Sequence, residues 1–569
     1  MGMKKSINVG RVTLFIIIAF IAITAFRVFI GLEIPIWIDA SLVHDDVWMV
    51  YAADLKTHFT SYNNLSLIKD MSYPVFLQIV NLLHISYRLA MVILWVAAAA
   101  LTALFVRCLT KRPVILIAAY TFVLYCPVAF TPMIGGNIYR NAVITPSVFI
   151  FLALLLLVAH FILRRSNRYR LGVVISVLAG VAFLFFYYTK EDSIWALPFF
   201  IVTLGLCAVS VFIKKNGAVS GKDRTRYIII ALIPILIFVL GTNAYKAVNY
   251  HYFGVYEINT RTESAFADFS GRLFKISDDN KTPQYWLPYS TFEKAWAASP
   301  TLQKYPELLD ALKHSAWAGG DFETNPILRD HSLWALRDAL GTKGLFANEA
   351  AKLNVLSAAS KEIDEAFANG SLQKDTSRIY VSRAVPGKNL HEIMALTPMF
   401  LNGVKTSAFF RWYETQLGPF DNDMSNQSYA AHYYYTENFI HDTFATQEDF
   451  GTLPVKFSLA AGTVIIKAYQ GAAFALLPLS LLGFILLIIY AVRKTKWSSL
   501  YFIYLIAFLA LTAFAQIFAA AWFTEEIRDM AMLGYTAGAV PVVQLVEILG
   551  VFALFKILFS KRIPDRIRA

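Results

Sequence analysis

The sequence predicts an all-α polytopic membrane protein of about ten transmembrane helices, with a mainly helical extracytoplasmic domain between the seventh and eighth. Three observations carry this. The chain of 569 residues is 57% hydrophobic and only 16% charged, with a mean hydropathy of +0.53, whereas soluble domains are nearer a quarter charged. Apolar runs long enough to cross a hydrocarbon layer of roughly 30 Å recur along it. Basic clusters follow every second run, the bias that orients membrane proteins.

The spans are expected at 12–31, 85–106, 113–130, 143–163, 171–188, 194–213, 228–248, 472–492, 500–521 and 539–559. The first run, Arg11 to Leu32, is longer than a signal-peptide core and no A-x-A-like site follows it, so it reads as a retained helix. Lys4, Lys5 and Arg11 precede the first span, 12–31. "RCLTKR" (107–112), "RRSNRYR" (164–170), "KKNGAVSGKDRTR" (214–226), "RKTK" (493–496) and "KRIPDRIR" (561–568) mark alternate connections as cytoplasmic, which puts both termini there. Connections 32–84, 131–142, 189–193, 249–471 and 522–538 then face outward. The chain divides into an N-terminal transmembrane module (1–248), an extracytoplasmic domain (249–471) and a C-terminal transmembrane module (472–569).

The segment 249–471 is too long for a structureless loop. Helical spacing in "HSLWALRDAL" (331–340) and "AAKLNVLSAASKEIDEAFANG" (350–370), the latter closing at Gly370, predicts helices there. Residues 457–471 read as a surface-lying helix leading into the eighth span. The net charge of +12 does not indicate nucleic acid: residues 251–450 hold 18 Lys and Arg against 25 Asp and Glu, so the basic excess sits in short inter-helix connections. Cys108, Cys126 and Cys207 lie in or beside spans, which implies neither a disulfide framework nor a cysteine metal site. No phosphate-binding loop, dinucleotide fingerprint or nucleophile elbow is present.

The outward connections carry the unusual residues. The first holds Asp39, then "LVHDDVWMVYAADL" (42–55) with the pair Asp45–Asp46, then "YNNLSLIKDMSYPVFL" (62–77). The second holds "GGNIYRNA" (135–142), and the third "YYTKEDSIW" (187–195) with Lys190, Glu191 and Asp192. Each has a plain structural reading: Asp45–Asp46 as a helix N-cap, Arg140 and Arg88 as snorkelling anchors, Lys190–Asp192 as a solvated turn. Together they put acids and cations in one layer at headgroup height, while few charges interrupt the span centres.

Such a layer suits a sugar donor carried on a polyprenyl phosphate. A carboxylate takes the proton from the acceptor hydroxyl, cations stabilise the departing lipid phosphate, and Trp and Tyr faces pack on the sugar. The candidates are Asp45 and Asp46 as base, and Lys190, Arg140, Lys69 and Arg88 for the phosphate. His44, Trp48, Tyr73, Tyr139 and Trp195 are candidates for sugar or acceptor contacts.

A long first helix, the acidic pair beyond it, a large first outer connection and the motifs "DD…ADL…YNNLSLIKDMSYPVFL" and "YTKEDSIWALP" resemble the GT-C glycosyltransferases, over roughly residues 10–260. The likeness is to a little-characterised bacterial branch. It implies an acidic base in the first outer connection (Asp45 or Asp46), supporting acids at Glu191 and Asp192, and basic partners of the donor phosphate at Lys190 and Lys69. It also implies direct displacement with inversion and a site on the outer face of a bacterial plasma membrane. The pair here is Asp-Asp where many relatives have Asp-Glu, and the outer domain lies between the seventh and eighth spans where many members carry theirs at the C-terminus. The expected partners are a polyprenyl-phosphate-linked sugar, a glycan or lipid-linked acceptor of the cell envelope, and the bilayer. No cofactor is required; a divalent metal (Mg or Mn) is compatible with so many acids, but a monophosphate leaving group does not demand one.

The segment 409–438, rich in aromatic and amide groups, suits either a saccharide groove or an aromatic core. His432 and His441 lack a metal-ligand pattern. "TEEIRDM" (524–530) would close the site from above or form a solvated helix. Two other readings compete: a transporter or flippase of lipid-linked saccharide, disfavoured by dissimilar halves and rim-placed charges, and a non-catalytic envelope assembly protein.

Overall fold

The computed structural model describes the chain except residues 1, 40–44, 64, 214–220, 343, 416–426, 447, 495–496, 525–528 and 559–569; the side chains of 2–13, Asp45, 427–428, 494, 497–499, 524 and 529–531 are also outside the description. The described residues are all-α, with three isolated β-bridges and no strand. Among the described residues, nine helices are long and apolar enough to cross a membrane: Leu14–Leu32, Tyr87–Leu109, Arg140–Leu163, Tyr169–Tyr187, Ser193–Ser210, Gly221–Phe253, Leu453–Arg493, Leu500–Phe523 and Ala539–Leu558. The protein is a multi-pass membrane protein. Arg140–Leu163 is the central helix, buried over nearly its whole length, while its neighbours keep apolar faces outward, as lipid requires.

The expected third span differs. Residues 113–130 form a helix, Pro113–Leu124, followed by a short 3-10 turn, Pro127–Phe130. Twelve residues rise only about 18 Å. The helix ends because Pro127 removes a backbone donor and pushes Cys126 into an extended conformation (φ −52°, ψ 131°). Leu124 O, left without an intrahelical partner, accepts from Arg27 Nε at 3.2 Å. The 3-10 turn and the loop after it complete the passage, so the connections on either side still emerge at opposite ends of the bundle.

Residues 457–471 also depart from expectation. They belong to one unbroken helix, Leu453–Lys494, of 42 residues. Phe457 packs on Phe26 and Phe29, Ser458 Oγ donates to Ile30 O, and Tyr469 Oη donates to Phe122 O at 2.6 Å. The segment therefore runs against the first span and the short helix. Gly462 does not break it but makes room for Thr415 and Phe130, whose atoms would lie 2.9 and 3.4 Å from a Cβ there.

The helices expected in the outer segment form as His331–Leu340 and Glu349–Asn369, the latter capped by Asn348 and ended by Gly370 in the left-handed region (φ +80°). The segment 249–471 is shared among three cores. Residues 253–372 enclose an apolar core of their own with Leu67. Helix Gln427–Ile440 instead joins the core built by residues 36–91, and Phe410 and Tyr413 join the transmembrane core.

Five connections meet at one end of the bundle. Trp37 N donates to Gly136 O and Ile138 N to Trp37 O, joining the first to the second. Ser72 N donates to Tyr188 O, and Thr260 N to Leu67 O, at 3.1 and 2.8 Å. Trp522 Nε1 donates to Pro386 O. At the opposite end, Arg165 bonds Ile213 O and Tyr227 Oη bonds Ser166 O. The strongly basic connection 164–170 and the described residues flanking 214–220 are therefore segregated from the five.

Candidate functional site

At the crowded end, helix starts and tight turns present charge where apolar spans begin. Arg140 opens the central helix, and Lys190–Asp192 fill the turn before Ser193. Arg140 Nη1 donates to both oxygens of Glu191, at 2.7 and 2.6 Å. Lys190 Nζ lies 3.3 Å from Asp192 Oδ2 and 4.7 Å from the centre of the Tyr535 ring. Lys69 and Arg140 are buried, as is most of Lys190.

The structure adds partners that the sequence did not single out. Asp70 N donates to Glu191 Oε1 at 3.4 Å, and Asp70 Oδ1 accepts from Asn259 Nδ2 at 2.8 Å. Arg261 pairs with Asp330 at 2.8 Å. Lys69 Nζ and the Arg261 guanidinium both lie over the Trp334 ring, at 5.2 and 5.7 Å. Tyr535 stands among Asp330, Arg261, Arg140 and Asp192. Lys69, Arg140, Lys190 and Arg261 thus form a cationic layer contributed by four connections. Trp334 and Tyr535 supply its aromatic faces.

The electrostatics of the two central acids diverge. Burial pushes Asp70 well above the usual carboxylate range, and the Glu191 charge adds to this against the Asn259 hydrogen bond. Burial would also raise Glu191, but Arg140, Lys69 and Arg261 outweigh it and hold Glu191 down at about 2. The two neighbouring acids are thus driven in opposite directions, Glu191 toward its charged form and Asp70 toward its neutral one. The four cations share this layer with the carboxylates of Glu191, Asp192 and Asp330.

The acidic pair stands at the start of helix Asp45–Ala53. Asp46 is buried, its Oδ2 accepts from Asp39 N at 3.4 Å, and it raises the acidity threshold of Tyr73 after the dominant effects of burial and Tyr87. Tyr73 is fully buried, with its hydroxyl 3.4 Å from that of Tyr87. Tyr139 links this group to the cations, lying under the Arg140 guanidinium at 5.1 Å. His44 and the side chain of Asp45 lie outside the described residues, as do 525–528 of the last connection.

Other expected residues are placed elsewhere. Arg88 is held by Leu32 O, Thr443 O and Asp442, away from Lys190 and Glu191 in the contacts it makes. Trp195 packs on Phe186 in the transmembrane core, and Trp48 stands edge-on to His58. His432 Nδ1 meets Tyr51 Oη at 2.9 Å, and Tyr51 stacks on Tyr435 at 4.4 Å. His441 bonds Asn81.

No family model, curated protein or solved structure matches the chain. Geometry and charge alone therefore inform its function.

Of the residues added by the fold, only Asp70 had a signal, its place beside Lys69 in "LIKDMSYP". Asn259, Arg261, Asp330, Trp334 and Tyr535 lie in polar stretches where such residue types are ordinary.

Proposed function

We propose that the protein is a GT-C-type glycosyltransferase that moves a sugar from a polyprenyl-phosphate carrier to an envelope glycan or lipid-linked acceptor. The reaction takes place at the extracytoplasmic face of a bacterial plasma membrane. One observation carries the reading: a layer of four largely buried cations with aromatic faces lies where several spans begin, near a helix that starts with two aspartates.

A lipid carrier keeps its tail in the bilayer and brings its phosphate to this depth. Lys69, Arg140, Lys190 and Arg261 would hold that phosphate, and Trp334 and Tyr535 would flank the sugar. Asp45 or Asp46 takes the proton of the acceptor hydroxyl as its oxygen attacks the anomeric carbon. The bond from that carbon to the phosphate oxygen breaks on the opposite side, and the cations stabilise the charge left on the lipid phosphate. Glu191 fixes Arg140 in place for this.

The test uses membranes containing the parent chain, Asp45→Asn, Asp46→Asn or Glu191→Gln, supplied with labelled polyprenyl-phosphate sugars. Loss of about 10²-fold or more in transfer is expected for whichever aspartate is the base, the scale of general-base catalysis. Transfer at the parent rate by every correctly assembled variant would sink the site. No transfer by the parent across a donor panel would favour transport.

Transport has one observation of its own. Glu547 and Gln544 are buried in the last span, and Glu547 Oε1 and both polar atoms of Gln544 find no hydrogen-bond partner among the described residues. Ionisable groups inside a membrane commonly mark pathways. Saccharide-lipid movement across vesicles that is lost in Glu547→Gln would establish this reading instead.

A further inference from the structure

We infer that the chain binds one oxygen of a phosphate group in a cavity between Arg27 and Arg88, apart from the layer of Lys69, Arg140, Lys190 and Arg261. Arg27 belongs to the first span and is 2% exposed. Its side chain extends toward Gly31, where a Cβ would collide with Arg27 Nη1 and stand 2.6 Å from Val92 Cγ2. Its Nε caps Leu124 O, and its guanidinium carbon lies 4.8 Å from the centre of the Phe130 ring. Those contacts account for one N–H and one face. Nη1 has no acceptor, and Arg27 makes no ion pair among the described residues.

Arg88 stands across the cavity. Its Nη1 and Nη2 donate to Leu32 O and Thr443 O, while its Nε has no hydrogen-bonded partner, although Asp442 Oδ1 lies 3.5 Å away. The cavity, about 20 Å³, is lined by Arg27, Gly31, Tyr87, Arg88, Trp95 and Gly135 among others, and no carboxylate lines it.

A permanently charged group taken out of water needs a counter-charge as well as acceptors. A water molecule would satisfy the orphaned N–H groups but not the charge of Arg27. The volume admits about one water-sized atom, so a single oxygen enters and the rest of the anion stays outside. A phosphate ester fits this, because guanidinium N–H groups match phosphate oxygens in geometry and charge. The cavity lies where the first span ends and the second begins, at headgroup depth. A phospholipid phosphate and free phosphate present the same oxygen there.

The experiment follows the melting temperature of the purified full chain in a phosphate-free detergent. Sodium phosphate or short-chain phosphatidylglycerol is added, with sodium chloride and a monoacylglycerol as controls. At least one phosphate compound should stabilise the parent, and the lipid or the inorganic ion is identified as occupant by which of them acts. Half-saturation should weaken tenfold or more in Arg27→Gln and Arg88→Gln and stay at the parent value in Arg272→Gln, whose guanidinium pairs with Asp364 far from the cavity in sequence. Arg88→Gln leaves Leu124 capped, so the inference stays testable if Arg27→Gln does not fold. Equal stabilisation by the phosphate-free controls overturns it, as does no stabilisation by either phosphate compound. So does parent-like half-saturation in Arg88→Gln, or a loss confined to Arg261→Gln, which would move the phosphate to the other layer.

Discussion

Asp70 and Glu191 touch through a backbone N–H, yet their surroundings drive their charges apart. Glu191 sits at about 2 in the folded chain against an ordinary 4.5, so its contribution to stability is complete above 4.5 and is lost as pH falls toward 2. Asp70 has the opposite sign: its folded value lies above the ordinary 3.8, so the fold loses stability as pH rises past that point. Asp70→Asn keeps an acceptor for Asn259 and carries no charge. Its unfolding midpoint should exceed the parent's at pH 7 and lose the decline on the alkaline side of 3.8, as read by melting curves across pH. Glu191→Gln should lower the unfolding midpoint, because it removes the carboxylate that both bonds from Arg140 Nη1 reach; an unfolding midpoint equal to the parent's would show that the remaining partners of Arg140 suffice. The adjacency of Lys69 and Asp70 was visible in the sequence. The divergence of the two acids was not, because Glu191 is held down by Arg140, Lys69 and Arg261, which three other connections bring to it.

Among elements, close approach between helices is set by glycine at two places. A Cβ on Gly180 would stand 2.9 Å from Ile237 Cβ and 3.0 Å from Pro234 Cα, so helices Tyr169–Tyr187 and Gly221–Phe253 meet backbone to side chain. A Cβ on Gly550 would stand 2.7 Å from Ser480 O, and one on Gly483 would overlap Gly550 O. Small residues at such crossings are what membrane helices use to gain packing where lipid offers no hydrophobic contrast. Gly550→Leu should therefore destabilise by about 1–3 kcal/mol or more through overpacking, seen as a lower melting temperature in detergent, while leucine at Gly205, which meets nothing within 4 Å, should leave it unchanged. The period and length of apolar runs made nearly every spanning helix readable. Hydropathy could not reveal that the third run breaks at Pro127 or that residues 453–494 form one helix. Pro127 ends the helix of the third run, but the partners lie outside the runs: Arg27 takes up the carbonyl freed there, and Phe26, Phe29 and Phe122 hold the continuous helix.

At the scale of the molecule, connection 164–170 lies with Ile213 and Tyr227 at one end and the five mixed connections meet at the other. If the positive-inside bias governs orientation, a membrane-impermeant maleimide should label Asn369→Cys in intact cells and Asn167→Cys only after lysis. The reverse pattern would place the cationic layer in the cytoplasm and remove the proposed extracytoplasmic reaction. The outer segment is structurally part of the layer, since Arg261, Asp330 and Trp334 come from it. Composition and the spacing of apolar residues determined that the chain is an all-α membrane protein with a helical segment between its spans, because burial in lipid leaves few other ways to satisfy a backbone. Only the tertiary structure decided which charges meet. Charge acts through space over a few ångströms, and residues 69, 140, 190, 261 and 535 become neighbours only when five separate connections fold onto one end of the bundle.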